Sequence, residues 1–287
     1  MVRRLLAEQF PDWCDLGIEP VAFNGWDNRT FRLGTAMLIR LATAECYALQ
    51  VEKEHRWLPE LARTLPLPIP VPLAMGEPGN GYPWKWSIYR WLEGEPAAIE
   101  RVDDRNDFAK TLGQFLVALQ RADPTGGPAP GLHNFFRGGP LATYDNEARE
   151  AISLIKEVIS ASEAKSLWLA ALKTEWEGAP VWVHGDMSST NLLVSDGRLS
   201  AVIDFGCMGV GDPACDLTIA WTFFSGESRE TFRKSLSLDS ATWTRARGWA
   251  RWKAAISLRE TDTSQILLYE GTLRVIEDLL VEHRRVA

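Results

Sequence analysis

The segment Val181–Gly206, VWVHGDMSSTNLLVSDGRLSAVIDFG, places Asp186, Asn191 and Asp204 at the ends of two short apolar runs. A soluble protein normally keeps carboxylates away from the mouths of buried strands, because burying an unpaired charge is costly. "NLLV" and "LSAVID" are β-type runs, and the Asp196-Gly197 pair between them is a strong hairpin signal. A two-residue loop centred there sets Asn191 opposite Val202 and one diagonal step from Asp204, about 7 Å away between backbones. Asp186 lies on the loop that feeds the hairpin, so three polar side chains are expected at its open end. Oxygen donors without His or Cys suit a hard cation. An amide and one or two carboxylates, completed by water and phosphate, suit Mg²⁺. An isolated Asn and Asp would be explained as readily by turn capping.

The rest of the chain bounds the answer. Its 287 residues, 46% hydrophobic and 24% charged, suffice for one large domain or two lobes. A formal charge of −7 argues against a general nucleic-acid binder, which needs a basic surface. Cys14, Cys46, Cys207 and Cys215 form no C-x-x-C pair and do not cluster with histidine, so neither a disulfide framework nor a zinc site is indicated. Reduced thiols fit a cytoplasmic location. The apolar run in "MVRRLLAEQFPDW" is too short for a signal peptide and reads as an amphipathic helix. No stretch approaches a membrane span.

Two composition changes organise the chain. From Ile18 to about Arg40, the runs "PVAFN", "TFRLG" and "AMLIRLA" alternate with turn residues and predict a small antiparallel sheet. A helix is expected from about Ala44 to Thr64. The proline-rich stretch "LPLPIPVPLAMGEPGNGYPWKW" predicts extended chain and loop, and "SIYRWLEGE" a strand running into a turn. Beyond Ala98 the period is helical; Phe108, Leu112, Phe115, Leu116 and Leu119 form a one-faced stripe. The division falls into a lobe of residues 1–93 and a lobe of residues 94–287.

His184, Asp186 and Asn191 have the spacing H-x-D-x-x-x-x-N, and Asp204-Phe205-Gly206 spells D-F-G. These are catalytic-loop and metal-binding signatures of protein kinases. Gly185, however, stands where protein kinases usually have Arg, and "CMGVGDPACDL" follows with no A-P-E segment. Together, "VHGDMSSTNLLV", "VIDFG" and "GDPACDL" resemble the aminoglycoside phosphotransferase family, kinase-like small-molecule phosphotransferases that include macrolide and choline-type kinases. Weaker echoes lie in "GWDNRTFRL", "EKEHRWLPEL" and "YPWKWSIYRWLEGE".

The resemblance implies an α+β, bilobal protein-kinase-like fold: a small antiparallel-sheet lobe, a larger mainly helical lobe, and ATP or GTP in the cleft between them. It implies Asp186 as catalytic base or orienting group, and Asn191 and Asp204 as Mg²⁺ ligands. His184, Asp212 and Asp216 are expected to brace the loop. Arg40 takes the place of the usual phosphate-binding Lys and can grip phosphate bidentately, although it is bulkier. Glu54 is its expected acid, with Glu52 weaker. Asn28 is a candidate phosphate contact in "FNGWDNRTF", a run that lacks G-x-G-x-x-G. The nucleotide base is expected to meet backbone at Tyr89 and Trp91.

The implied partner is a small-molecule hydroxyl compound, an antibiotic or a metabolite, with the chain a monomer or homodimer. A polycationic aminoglycoside calls for acidic surroundings. From Thr218 onward, nine acids face eleven Lys and Arg, alongside Trp221, Phe223, Phe224, Trp243, Trp249 and Trp252. If some of these aromatics line the cleft, a bulkier and less charged compound suits better; otherwise they are core. Besides the Mg²⁺-dependent phosphotransferase, two readings stay open: a nucleotide-binding pseudokinase acting as sensor or docking module, and a protein kinase.

Overall fold

The computed structural model describes residues 1–21, 25, 27–154, 159–260 and 266–286. Helix α1 (Val2–Gln9) leads to β1 (Ile18–Pro20), β2 (Asn28–Leu33) and β3 (Met37–Ala42). After α2 (Glu45–Leu61) come β4 (Pro72–Gly76) and β5 (Trp86–Arg90). These five strands form an antiparallel sheet in the order β1-β2-β3-β5-β4. The expected strand over 20–24 falls partly on residues 22–24, outside the described residues, as does Trp26 of the expected phosphate loop.

Strand periodicity positions this lobe's functional charge. Ile39 and Leu41 join Leu5 and Leu6 of α1, with Leu33, Trp86 and Ile88, in a separate core on one face of the sheet. Side chains alternate along a strand, so Arg40 must project from the other face. That face is met by α2, whose buried residues Gln50, Glu54, Leu58 and Leu61 recur at helical spacing. Glu54 therefore points inward.

The remainder is mainly helical. The two-residue strand β6 (Glu95–Pro96) precedes α3 (Arg105–Arg121), α4 (Asp145–Leu154) and α5 (Ala161–Leu172). Next come β7 (Val181–Val183), β8 (Leu192–Ser195), β9 (Arg198–Val202) and β10 (Gly209–Gly211), then α6 (Ile219–Thr222), α7 (Gly226–Ser235), α8 (Ser240–Glu260) and α9 (Ile266–Val286). The Asp104 carboxylate caps α3 by accepting from the Asn106 and Asp107 amides at 2.8 and 3.1 Å. The predicted stripe on α3 is buried throughout. Each of its five large side chains contributes roughly 1.5–3 kcal/mol by leaving water. No helix among the described residues is long and apolar enough to cross a membrane.

The hairpin β8–β9 forms as expected but with a different register. Asp196 (φ 49°) and Gly197 (φ 71°) both adopt left-handed backbone, as a two-residue primed turn requires. Val194 pairs with Leu199, but Leu193 pairs with Ala201, so Ser200 is an extra residue. Its hydroxyl donates to the Leu193 carbonyl at 3.0 Å. The bulge places Leu192, not Asn191, opposite Val202. Asn191 is instead tied to Ile203, whose amide donates to its carbonyl at 2.8 Å.

Candidate active site

Two polar clusters gather most of the predicted residues. The first gathers on Arg40 at the middle of β3. Its Nη2 donates to Asp204 Oδ1 at 2.9 Å, and its Nη1 lies 3.4 Å from both Glu54 oxygens. Asp27 Oδ2 stands 3.7 Å from Nη2. Burial opposes the Arg40 charge, but Glu54 and Asp204 outweigh it and hold the guanidinium pKa well above its ordinary value. Burial, reinforced by Asp204, raises the Asp27 carboxyl pKa. The buried Tyr89 hydroxyl donates to Glu54 Oε2 in a short bond. Its phenol is pushed well above the ordinary range by burial and by that carboxylate.

The second cluster lies on the loop after β7. Asp186 Oδ1 accepts from Lys253 Nζ on α8 at 2.6 Å. The Asn191 amide nitrogen donates to the Asp186 carbonyl at 2.9 Å and to its Oδ2 at 3.3 Å. Burial raises the Asp186 pKa, but the charge and hydrogen bond of Lys253 prevail, and it lies below the ordinary carboxylate value of 3.8. Asp204 ends the hairpin with a left-handed backbone (φ 64°), a conformation that non-glycine residues adopt sparingly.

Buried braces hold this loop. Asp216 accepts from the amides of His184 and Gly185, each at 2.7 Å. The ring of His184 takes the Asp186 amide on Nδ1 at 3.2 Å, which leaves the proton on Nε2, donating to the Ile203 carbonyl at 2.9 Å. Asp212 accepts from Arg245 Nε on α8 at 2.7 Å. Gly185 has φ +85°, and a Cβ there would come 2.2 Å from the Cys207 carbonyl oxygen. The arginine of protein kinases has no place at this position.

Not every predicted residue joins these clusters. Asn28 opens β2 opposite Ala42 and is only 7% exposed, so it offers the cleft little of its amide. The Trp91 amide donates to the Ala36 carbonyl at 2.8 Å, which spends within the sheet the donor expected for the nucleotide base. Glu52 pairs with Lys85 rather than Arg40. Conversely, Asp27, Lys253 and Lys53 carry contacts that the sequence motifs did not mark. Lys53 Nζ reaches the carbonyls of Gly206 and Met208 at 2.8 and 3.1 Å and both Nδ1 and the carbonyl oxygen of His133 at 3.0 Å.

The late aromatics are core. Phe223, Phe224, Trp221 and Trp243 stack among themselves and with Phe108 and Phe232 as core. Trp249 and Trp252, 2% and 7% exposed, belong to the core as well, and they also border a cavity of about 10 Å³ beside Asp186 and Lys253.

The donor set fits a hard divalent cation only with outside help. Among the described residues no three His, Cys, Asp or Glu side chains gather to hold a metal. Asn191 spends its nitrogen on Asp186, which turns its amide oxygen into the available donor; Asp204, one oxygen of which Arg40 holds at 2.9 Å, offers the other. Two protein oxygens completed by phosphate and water match Mg²⁺ chemistry.

Comparison with known proteins bears on the fold and the family. No curated protein matches the chain by sequence. Among solved structures, the GDP and kanamycin complex of APH(2")-IIia superposes with a TM-score of 0.71 at 17% identity, covering 99% of this chain and 98% of that one. The streptomycin–ATP ternary complex of APH(2")-IIa gives 0.62 at 16% identity, covering 96% and 95%. The macrolide 2'-phosphotransferase MphH from Brachybacterium faecium gives 0.60 at 20% identity, covering 96% of each. At such identities the likeness establishes the bilobal kinase-like fold. The model of the phosphotransferase enzyme family matches residues 17–253, a span that takes in Arg40, Glu54, the Asp186 loop, Asp204 and Lys253. With most of its length inside that match, the chain belongs to the phosphotransferase enzyme family.

Proposed function

We propose that the protein transfers the γ-phosphoryl group of ATP or GTP to a hydroxyl of a small molecule. The observation that carries this reading is the join between Asn191 and Asp186. One amide orients the carboxylate through its nitrogen and keeps its oxygen for a cation beside it. Asp186, held ionised by Lys253, would accept the hydroxyl proton or aim the hydroxyl at the phosphorus. Arg40, steadied by Glu54, would bind the α and β phosphates. Asn191 and Asp204 would hold Mg²⁺, which when bound neutralises phosphate charge. The base would meet the chain around Tyr89 and Trp91, the Trp91 contribution being its carbonyl. Catalysis then rests on alignment and charge, because phosphoryl transfer asks little covalent chemistry of the protein.

Support is weaker for the other readings. A nucleotide sensor would not need an ionised Asp186 beside two oxygen donors, and a protein kinase is disfavoured by the crowding at Gly185. The test is nucleotide turnover with Mg²⁺ over a panel of hydroxyl compounds, for the parent and Asp186→Asn. The substitution is expected to lower kcat by roughly 10²–10⁴. Undiminished turnover refutes the mechanism, binding without turnover favours the sensor, and phosphorylation of proteins alone favours the protein kinase.

A further inference from the structure

Beside Asp186, a cavity of about 10 Å³ is walled by Arg137, Thr218, Trp249, Trp252 and Lys253. Its charges are two cations and one carboxylate. That carboxylate is already paired with Lys253 at 2.6 Å. Arg137 forms no salt bridge among the described residues and acts on Asp186 through charge alone. Glu147 accepts from the Trp252 indole at 2.9 Å and is not part of the pocket wall.

Arg137 is held in place by construction. Its guanidinium carbon stands 4.6 Å from the Trp252 ring centroid and 5.5 Å from those of Tyr144 and Trp249. Nη1 donates to the Tyr144 hydroxyl at 3.1 Å, while that hydroxyl donates to the Phe135 carbonyl. The backbone is fixed as well. The Arg137 amide donates to the Asn134 carbonyl at 3.1 Å, and the Asn134 side chain donates back to the Arg137 carbonyl at 3.0 Å. Phe135 and Phe136 precede it with φ of 51° and 56°, consecutive left-handed residues without glycine. A guanidinium packed on aromatic rings that has no carboxylate partner among the described residues keeps donors for a ligand.

We infer that the acceptor is a hydroxyl compound bearing a carboxylate or phosphate, which Arg137 binds beside Asp186. This deepens the phosphotransferase reading and rests on it. A polycationic amino sugar would meet two cations at the point where its hydroxyl must approach Asp186, an arrangement that disfavours it. An anion instead offsets the Arg137 charge and sets the distance from charged group to reacting hydroxyl.

Equilibrium binding tests this without requiring transfer. Calorimetry in the presence of Mg²⁺ and a non-hydrolysable nucleotide would use two matched sets. One is 4-(hydroxymethyl)benzoate, its neutral diol and its benzylamine counterpart; the other is glucuronate, glucose 6-phosphate, glucose and glucosamine. At least one anionic member is expected to bind about tenfold or more tightly than its neutral counterpart, and the cationic members more weakly still. Arg137→Gln should weaken anion binding about 10- to 100-fold and Arg137→Lys should restore part of it. Neutral-compound and nucleotide binding should stay within about twofold, which a merely structural role for Arg137 would not predict. Comparison of glucuronate with glucose 6-phosphate separates carboxylate from phosphate. Tighter binding of the amines, equal anion binding by Arg137→Gln, or no binding by any anion overturns the inference. Failure of the phosphotransferase reading shows separately, as anion binding that holds while no Asp186-dependent turnover is found.

Discussion

Lys253 Nζ lies 2.6 Å from Asp186 Oδ1, joining helix α8 to the catalytic-type loop across 67 residues of sequence. That contact, more than anything local to the loop, decides the protonation of the proposed base. Burial alone would raise its pKa; the ammonium reverses the sign.

The acid limb of kcat/KM should therefore fall below the ordinary carboxylate pKa of 3.8. In Lys253→Met only burial and weaker charges remain, so the limb should move to higher pH. A pH–rate profile of the two proteins decides it. An unmoved limb would mean that Asp186 is not the titrating group.

Arg40 shares its guanidinium among Asp204, Glu54 and Asp27. Arg40→Met would leave three carboxylates facing one another, and a loss of about 3 kcal/mol of folding stability is expected. Arg40→Lys keeps the charge but cannot reach Glu54 and Asp204 through separate nitrogens. It should retain most of the stability and weaken nucleotide binding by about tenfold. Chemical denaturation and nucleotide titration check the two halves independently.

Asp216 bonds two consecutive amides, each at 2.7 Å, in a site only 1% exposed. In Asp216→Asn one of these amides faces a donor instead of an acceptor, a cost of about 1–3 kcal/mol. The loop carrying Asp186 moves with it. Steady-state kinetics should show kcat reduced while nucleotide KM is little changed, because Arg40 and Glu54 lie on other elements. A change confined to nucleotide KM would contradict the bracing role.

What the sequence made legible follows from distance along the chain. The Asp186, Asn191 and Asp204 group is carried by 19 consecutive residues, and the turn at Asp196-Gly197 announces itself through residues that tolerate positive φ. Arg40 and Glu54 were readable only through the family resemblance; the strand and helix periods then explain why their side chains meet. The bulge at Ser200 was not readable, since an extra residue leaves the apolar alternation nearly intact. Lys253 and Arg137 were illegible for a different reason. Each reaches the site through tertiary packing of α8 and of the loop before α4, and neither carries a local pattern. Trp249 and Trp252 have the same helical spacing whether they fill a core or wall a pocket. Asp27 lay within a quoted motif, but only the fold of β2 against β3 brings it to Arg40.

Lys53 offers a test of the seam between α2 and the segment after Asp204. Its ammonium is buried, and burial lowers its pKa from 10.5 to about 8, against the opposing pull of Cys207 and Glu54. A folded pKa below the unfolded one means that the unfolded chain holds the extra proton between these two values. Stability contributed by this group must then rise with pH across that window, the penalty being full below about 8 and gone above about 10.5. Other groups titrate in the same range, including Cys207, whose buried thiol is pushed up to about 12. A difference between two proteins removes them. Urea unfolding of the parent and Lys53→Met at matched pH should show the parent gaining about 2 kcal/mol relative to the variant from pH 8 to pH 9.5. A difference that stays flat would place the Lys53 pKa near its unfolded value. A difference that shrinks would show that the charged form is the one the four acceptors favour.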